Sequence, residues 1–233
     1  MSVSSQKISE DGQHLPGRAL LSASRRTERL TLPAVHNRDT TKLIEIVTAR
    51  DVTQRDLTTY CHGLAPLFVF AVIQSVARRL GLRWEQDEIS FGELSISLSR
   101  LHEILNLACA HLEVAELTSS LAVIVQPFDD HMLGGVLLDA RLRYAGYATC
   151  FFPSWAHEPL GDFDGILISV CNSDRIAELP EFLSKIRKSA RASTPVIVGG
   201  PGASSAGSLC DADLVTSSLI DAVSLCERRL AAG

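Results

Sequence analysis

At Leu121 the chain switches to a pattern that few architectures accommodate. Five short apolar runs follow: LAVIVQ (121–126), GYATCFF (146–152), GILISV (165–170), PVIVGG (195–200) and ADLVTS (212–217). Between them lie helical stretches at Met132 to Ala145, Ser173 to Ala192 and Leu219 to Leu230. Strands that are apolar throughout need cover on both faces, and strands separated by helix-length segments pair in parallel. Residues 120–233 are therefore expected to form an α/β domain, a flavodoxin- or Rossmann-like sheet of five parallel strands. One connection is unusual: Pro153 to Asp164 is too short for the usual second helix and holds a turn or two around Trp155 to Leu160. A shortened second helix is expected to leave one flank thinly covered, with Trp155 on it as a surface for a partner.

Upstream, residues 39–119 carry helical spacing. Leu43, Ile44, Ile46 and Val47 make one short apolar face, and Leu57, Tyr60, Cys61 and Leu64 continue at intervals of three and four. Thr53 is a candidate cap with Asp56 in the first turn, and Ser90 a second with Glu93 at the capping-box position. The run Leu64 to Leu80 is apolar nearly all round, so other helices must enclose it. Pro66 either kinks this helix or opens it. Gly81 is expected to end it, leaving Trp84 to Glu88 as a linker. The last helix continues through Ile96, Leu101, Ile104 and Leu105. The unit reads as a four-helix bundle.

Residues 1–38 are polar, broken by glycine and proline, with one basic cluster at Arg25, Arg26 and Arg29. They read as a disordered arm, either a simple tail or a segment that binds a partner or nucleic acid. A net charge of −5 argues against any larger nucleic-acid footprint. The longest apolar stretch, Leu64 to Ile73, is too short to span a bilayer. The first residues lack an export signal, and the six cysteines form no C-x-x-C pair. A cytoplasmic protein with reduced thiols, and no membrane partner, is expected.

In a doubly wound sheet the ligand sits beyond the carboxyl ends of the strands. After the first strand comes Pro127-Phe128-Asp129-Asp130-His131-Met132-Leu133-Gly134-Gly135. Ser169 to Asp174 follows the third, and Gly199-Gly200-Pro201-Gly202 the fourth. An aspartate two residues before a histidine can accept the proton of one imidazole nitrogen and leave the other for a metal. Adjacent glycines let a bulky ligand press against backbone.

Asp129-x-His131-x-x-Gly134, Ser169 and Gly199-Gly200 together resemble the motif set of the cobalamin-binding domains of methionine synthase and its relatives. The resemblance implies that His131 is the lower axial cobalt ligand, with Asp129 on its other nitrogen. It also implies that Ser169, Gly199 and Gly200 line the pocket for the cofactor's nucleotide tail, with Gly134 of the histidine motif among the cofactor-binding residues. LGLRWEQDEISFGEL (80–94) is similar to the bundle that caps the corrin in the CarH-type photoreceptors, which makes Trp84 the residue over its upper face. A structural role for Trp84 at the inter-helix corner remains the alternative. Where those proteins carry Glu-His, this chain has Leu94-Ser95, so that upper ligand is missing.

The chain shows no nucleophile–base pair, phosphate-binding loop or carboxylate dyad. It is expected to be a binding protein and not an enzyme. A bundle plus a shortened cobalamin domain, with no DNA-reading domain, resembles the AerR/PpaA regulators. That resemblance implies a light-responsive antirepressor with hydroxo- or adenosylcobalamin, acting on a partner repressor of the CrtJ/PpsR type and touching DNA only indirectly or through the arm. Two alternatives stay open. One is a corrinoid carrier subunit of a methyltransferase; the other is a haem-binding sensor on the same fold.

Overall fold

The computed structural model describes residues 26–110, 119–126, 132–155, 158–171, 176–205 and 211–232. Four helices come first: α1 (Asn37–Thr48), α2 (Gln54–Cys61), α3 (Pro66–Glu85) and α4 (Phe91–Cys109). The α/β half follows as β1 (Ser120–Val125), α5 (Met132–Tyr144), β2 (Ala148–Phe152), β3 (Gly165–Ser169), α6 (Leu179–Ser189), β4 (Val196–Gly199), β5 (Leu214–Val215) and α7 (Leu219–Ala232). The strands form one parallel sheet in the order β2-β1-β3-β4-β5. The expected fold is present, with β5 shorter than its apolar run.

Side-chain alternation along β1 divides the sheet's two covers. Ala122 and Ile124 face Leu179, Phe182, Leu183 and Ile186 of α6. Leu121 and Val123 face Leu142 of α5 and Ala222, Val223 and Cys226 of α7. Helix α5 is apolar on two sides because it has two neighbours. Gly135 lies against Val125 and Phe151 of the sheet, where a Cβ would come within 2.6 Å of Val125 Cγ2. Leu133, Leu137 and Ala140 belong to the bundle core, and Tyr144 meets Phe70 of α3 edge-on at 6.1 Å.

Local chemistry starts the bundle helices. Thr53 and Asp56 cap α2 reciprocally, and Ser90 and Glu93 do the same for α4. Pro66 opens α3 without kinking it. Gly81, however, does not end that helix. It is an interior residue with open space around it, and α3 runs on to Glu85, so Trp84 stands in a last turn and not in a linker. The stop is Asp87, whose φ of 57° supplies the left-handed step usually given to glycine. The amide of Asp87 donates to Trp84 O at 3.0 Å and that of Glu88 to Arg83 O at 2.8 Å, the hydrogen bonds of a Schellman ending.

Two further expectations give way. The connection between β2 and β3 contains no helix among its described residues, yet the flank it spans is covered. Trp155 is only 6% exposed, packs edge-on against Phe182 at 5.9 Å, and donates its indole N–H to Glu158 O. Leu160 is fully buried beside it. Trp155 fills the space a helix would have taken, so it offers no partner surface. Of the segment read as an arm, residues 1–25 lie outside the described residues, and the stretch that follows is anchored at Arg26 and Leu30. Residues 26–30 form a helical turn, Leu30 is 2% exposed among Leu121, Tyr147 and Val223, and Arg141 donates to Leu30 O at 2.7 Å. Arg26 pairs with Glu227 and lies over the Tyr147 ring, while Arg29 lies over Tyr144. Both basic side chains are thus engaged within the fold.

Candidate functional site at the carboxyl edge of the sheet

The sheet reverses its winding between β1 and β3, and the crevice outside their carboxyl ends is where such folds hold ligands. Val125 and Ser169, the last residues of the two strands, are register partners, and the Gln126 amide donates to Ser169 O at 3.0 Å. Ser169 is 5% exposed, with its hydroxyl 3.8 Å from the Cys171 sulfur. Gly134, in the first turn of α5, is exposed and lies against this pair. A Cβ at Gly134 would stand 2.8 Å from Cys171 Sγ and 3.7 Å from Ser169 Oγ. Gly134 and Ser169 are therefore brought together at the reversal point, and a side chain at Gly134 would have to push the Cys171 thiol aside.

The glycine pair after β4 has a cause within the chain itself. Gly200 has φ +105°, and a Cβ there would fall 2.4 Å from Val170 O. At Gly199 a Cβ would stand 3.0 Å from Thr216 O. The Val170 amide donates to Gly199 O at 2.8 Å, and the Gly202 amide to Val170 O at 3.0 Å. The pair lets the turn after β4 fold onto the end of β3, which also sets it beside Ser169.

Asp129 and His131 lie outside the described residues, so their side chains have no structural account; α5 begins at Met132, the next residue after His131. Trp84 is 42% exposed. Among the described residues no hydrogen bond, ring contact or core cluster joins it to Gly134, Ser169 or the glycine pair. His102, on α4, is half-buried with Nδ1 3.1 Å from Leu98 O. Two surface hollows, along α2 (Gln54, Thr58, His62) and between α1 and α3 (Glu45, Arg79, Arg83), include none of these residues. Among the described residues there is no group of three metal-ligating side chains, and no helix long and apolar enough to cross a membrane.

The sequence reading missed the polar groups that lock the edges. Asp213 accepts from the Val196 amide at 2.7 Å and from Arg187 at 2.6 Å, with Arg229 at 3.6 Å. Burial pushes its carboxyl up, but these donors outweigh burial and hold it below the usual carboxylate range. The Tyr147 hydroxyl donates to Glu227, and burial with that carboxylate pushes the phenol up. Burial also pushes the Cys226 thiol up to about 12 and the Arg141 guanidinium down to about 10. A charged residue beside a short strand and a tyrosine before another were the available signals.

No protein-family profile matches the chain. An uncharacterized 20.5 kDa protein in the bchF-crtJ intergenic region of Rhodobacter capsulatus is 29% identical over 161 residues, 63% of this chain and 83% of that protein. Among solved structures, the monomethylamine corrinoid protein of Methanosarcina barkeri superposes with a TM-score of 0.61 at 16% identity, over 85% of this chain and all of that one. The two share a fold: a helical unit ahead of a parallel doubly wound sheet. A cobalamin-binding protein from Desulfitobacterium hafniense is also 16% identical over 90% of this chain and 97% of its own, but with a TM-score of 0.34 it carries no argument.

Proposed function

We propose that this chain is a corrinoid-binding regulator and not an enzyme. The observation that carries the reading is the meeting of Gly134, the last position of Asp129-x-His131-x-x-Gly134, with Ser169 at the reversal point of the sheet. The residues there fit such a group. The glycine backbone at the start of α5 is exposed, a hydroxyl and a thiol lie beside it, and the motif one turn earlier supplies an imidazole, a good donor to cobalt. His131 would hold the cobalt, with Asp129 on its other nitrogen, and Ser169, Gly199 and Gly200 would line the tail pocket. Trp84 would cover the upper face.

When bound, cobalamin supplies a cobalt axial ligand that light can remove or exchange. The chain's part is to carry that change outward. Helix α5 starts one residue after His131, and its far side is part of the bundle core through Leu133, Leu137 and Ala140. A shift at the helix start thus bears on the bundle, and the partner is affected only as far as contacts differ between the two arrangements. A transcriptional repressor of the CrtJ/PpsR type is the proposed partner, supported by the position of the Rhodobacter relative beside crtJ. Arg26 pairs with Glu227 and Arg29 lies over the Tyr144 ring, so DNA, if touched, is touched indirectly or through the segment ahead of them, and action through the partner is the reading retained.

The test is an absorption titration with hydroxocobalamin, in darkness and after illumination. Saturable binding that His131→Ala abolishes supports the proposal; wild-type affinity and spectrum in that variant overturn the ligand assignment. The fold shared with a corrinoid protein also favours a methyl-carrier role. Methyl transfer by the loaded chain would establish it, and binding of haem in place of cobalamin would establish a haem sensor.

A further inference from the structure

The two edges of the sheet are built differently. β5 is two residues long, and Asp213 beside it is tied to Arg187 and Arg229. A short edge next to fixed charges is one way proteins keep other strands from pairing with it. β2, ATCFF, is five residues long and contains no charge, proline or glycine. Among the described residues only β1 pairs with it.

Backbone direction alternates along β2. The Ala148 amide donates to Ser119 O, so Ala148, Cys150 and Phe152 turn their backbone groups toward β1. Thr149 and Phe151 turn theirs to the open edge, where no described backbone group meets them. Side chains alternate as well. Thr149 is bonded to Asp139 and Phe151 lies beside Gly135, both on the α5 side. Cys150 is on the opposite face and is exposed.

We propose that a second copy of this chain pairs with β2 along this edge, antiparallel, about a two-fold axis through Cys150. In that register Thr149 faces Phe151 of the partner subunit, and each such pair exchanges both of its backbone hydrogen bonds. All the outward backbone groups of the strand are then satisfied. Ala148 faces Phe152 of the partner subunit, so no like charges meet, the hazard that a two-fold axis imposes on a charged edge. Cys150 falls opposite Cys150 of the partner subunit in the non-hydrogen-bonded position, with Cα atoms about 4.5 Å apart, within bridging range for two cysteines. The axis uses up the edge, so assembly stops at a dimer. The inference is independent of any cofactor.

The test is sedimentation velocity on the full chain at micromolar concentration, with thiol trapping by diamide. A dimer is expected. Diamide takes two electrons and two protons from the paired Cys150 thiols, becoming the hydrazine and leaving one interchain disulfide, visible as a dimer on a non-reducing gel. Cys150→Ser loses the cross-link but still sediments as a dimer. Cys150→Lys, which sets two ammonium groups across the axis at an exposed position, sediments as a monomer with unchanged circular dichroism. A monomeric wild type overturns the proposal, as does a dimer that survives Cys150→Lys or a cross-link that survives Cys150→Ser. Other occupants of the edge, such as residues 1–25 or an unrelated strand, would appear as the first of these results.

Discussion

Replacing Gly200 by alanine separates two reasons for the glycine pair. The resemblance assigns it to a ligand pocket, whereas the geometry around it asks for glycine with no ligand at all. At φ +105° an alanine is held in a region almost reserved for glycine, which costs about 1–3 kcal/mol. Its Cβ would also fall 2.4 Å from Val170 O, a backbone atom that accepts from the Gly202 amide and cannot swing aside. Relieving such an overlap costs about another 1–3 kcal/mol. The sum, roughly 2–6 kcal/mol, is a large part of the 5–15 kcal/mol typical of a whole domain. Urea unfolding without cofactor should show the midpoint falling by that amount at unchanged slope. Gly199→Ala is the control: with no left-handed φ and a looser 3.0 Å approach to Thr216 O, it should lose about 1 kcal/mol or less. If Gly200→Ala leaves the cofactor-free midpoint unmoved yet abolishes corrinoid binding, the backbone explanation is refuted and the glycine exists for the ligand.

Asp213→Asn should cost about 1–2 kcal/mol near neutral pH, since it weakens the acceptor shared by the Val196 amide and Arg187. Because that carboxyl titrates below its ordinary value, its contribution is complete above about pH 4 and fades as pH falls through the folded value. The gap between wild type and variant, read from urea midpoints, should therefore narrow in acid; a gap that widens refutes the assignment. Leu30→Ala should lose about 2–3 kcal/mol, at the low end for a buried leucine because residues 26–30 can lift away locally. Faster tryptic cleavage at Arg29 should accompany it, and unchanged cleavage would contradict the docking.

What could be read from the sequence was what is decided locally. Thr53-x-x-Asp56 and Ser90-x-x-Glu93 announce their helices because donor and acceptor lie within one turn. The parallel sheet was legible because β1 and β3 are buried on both faces and contain almost nothing but apolar residues. Gly81 misled because glycine is merely tolerated where nothing crowds it, while the left-handed step was given to Asp87, whose sequence carries no sign of it. Trp155 misled for a different reason. The missing helix was visible in the length of the connection, but the replacement of its bulk by one indole and Leu160 depends on the distant Phe182. At the site, topology alone puts Gly134 and Ser169 at the carboxyl edge of the sheet, and that much was legible in the sequence. The self-sufficient reason for Gly200 was not, since it resides in a carbonyl thirty residues upstream.

The contact between Arg26 and Glu227 spans 201 residues of chain. During synthesis Arg26 emerges long before Glu227, so this ion pair waits for α7 even though Leu121, Tyr144 and Tyr147 already offer the turn at 26–30 a place to dock. The bundle and most of the sheet can assemble during synthesis, but this latch closes only once α7 has been made. A chain cut before α7 would keep Leu30 and Arg29 against β1 and α5 but would lose the partner of Arg26 and the wall that Ala222, Val223 and Cys226 make around Leu30.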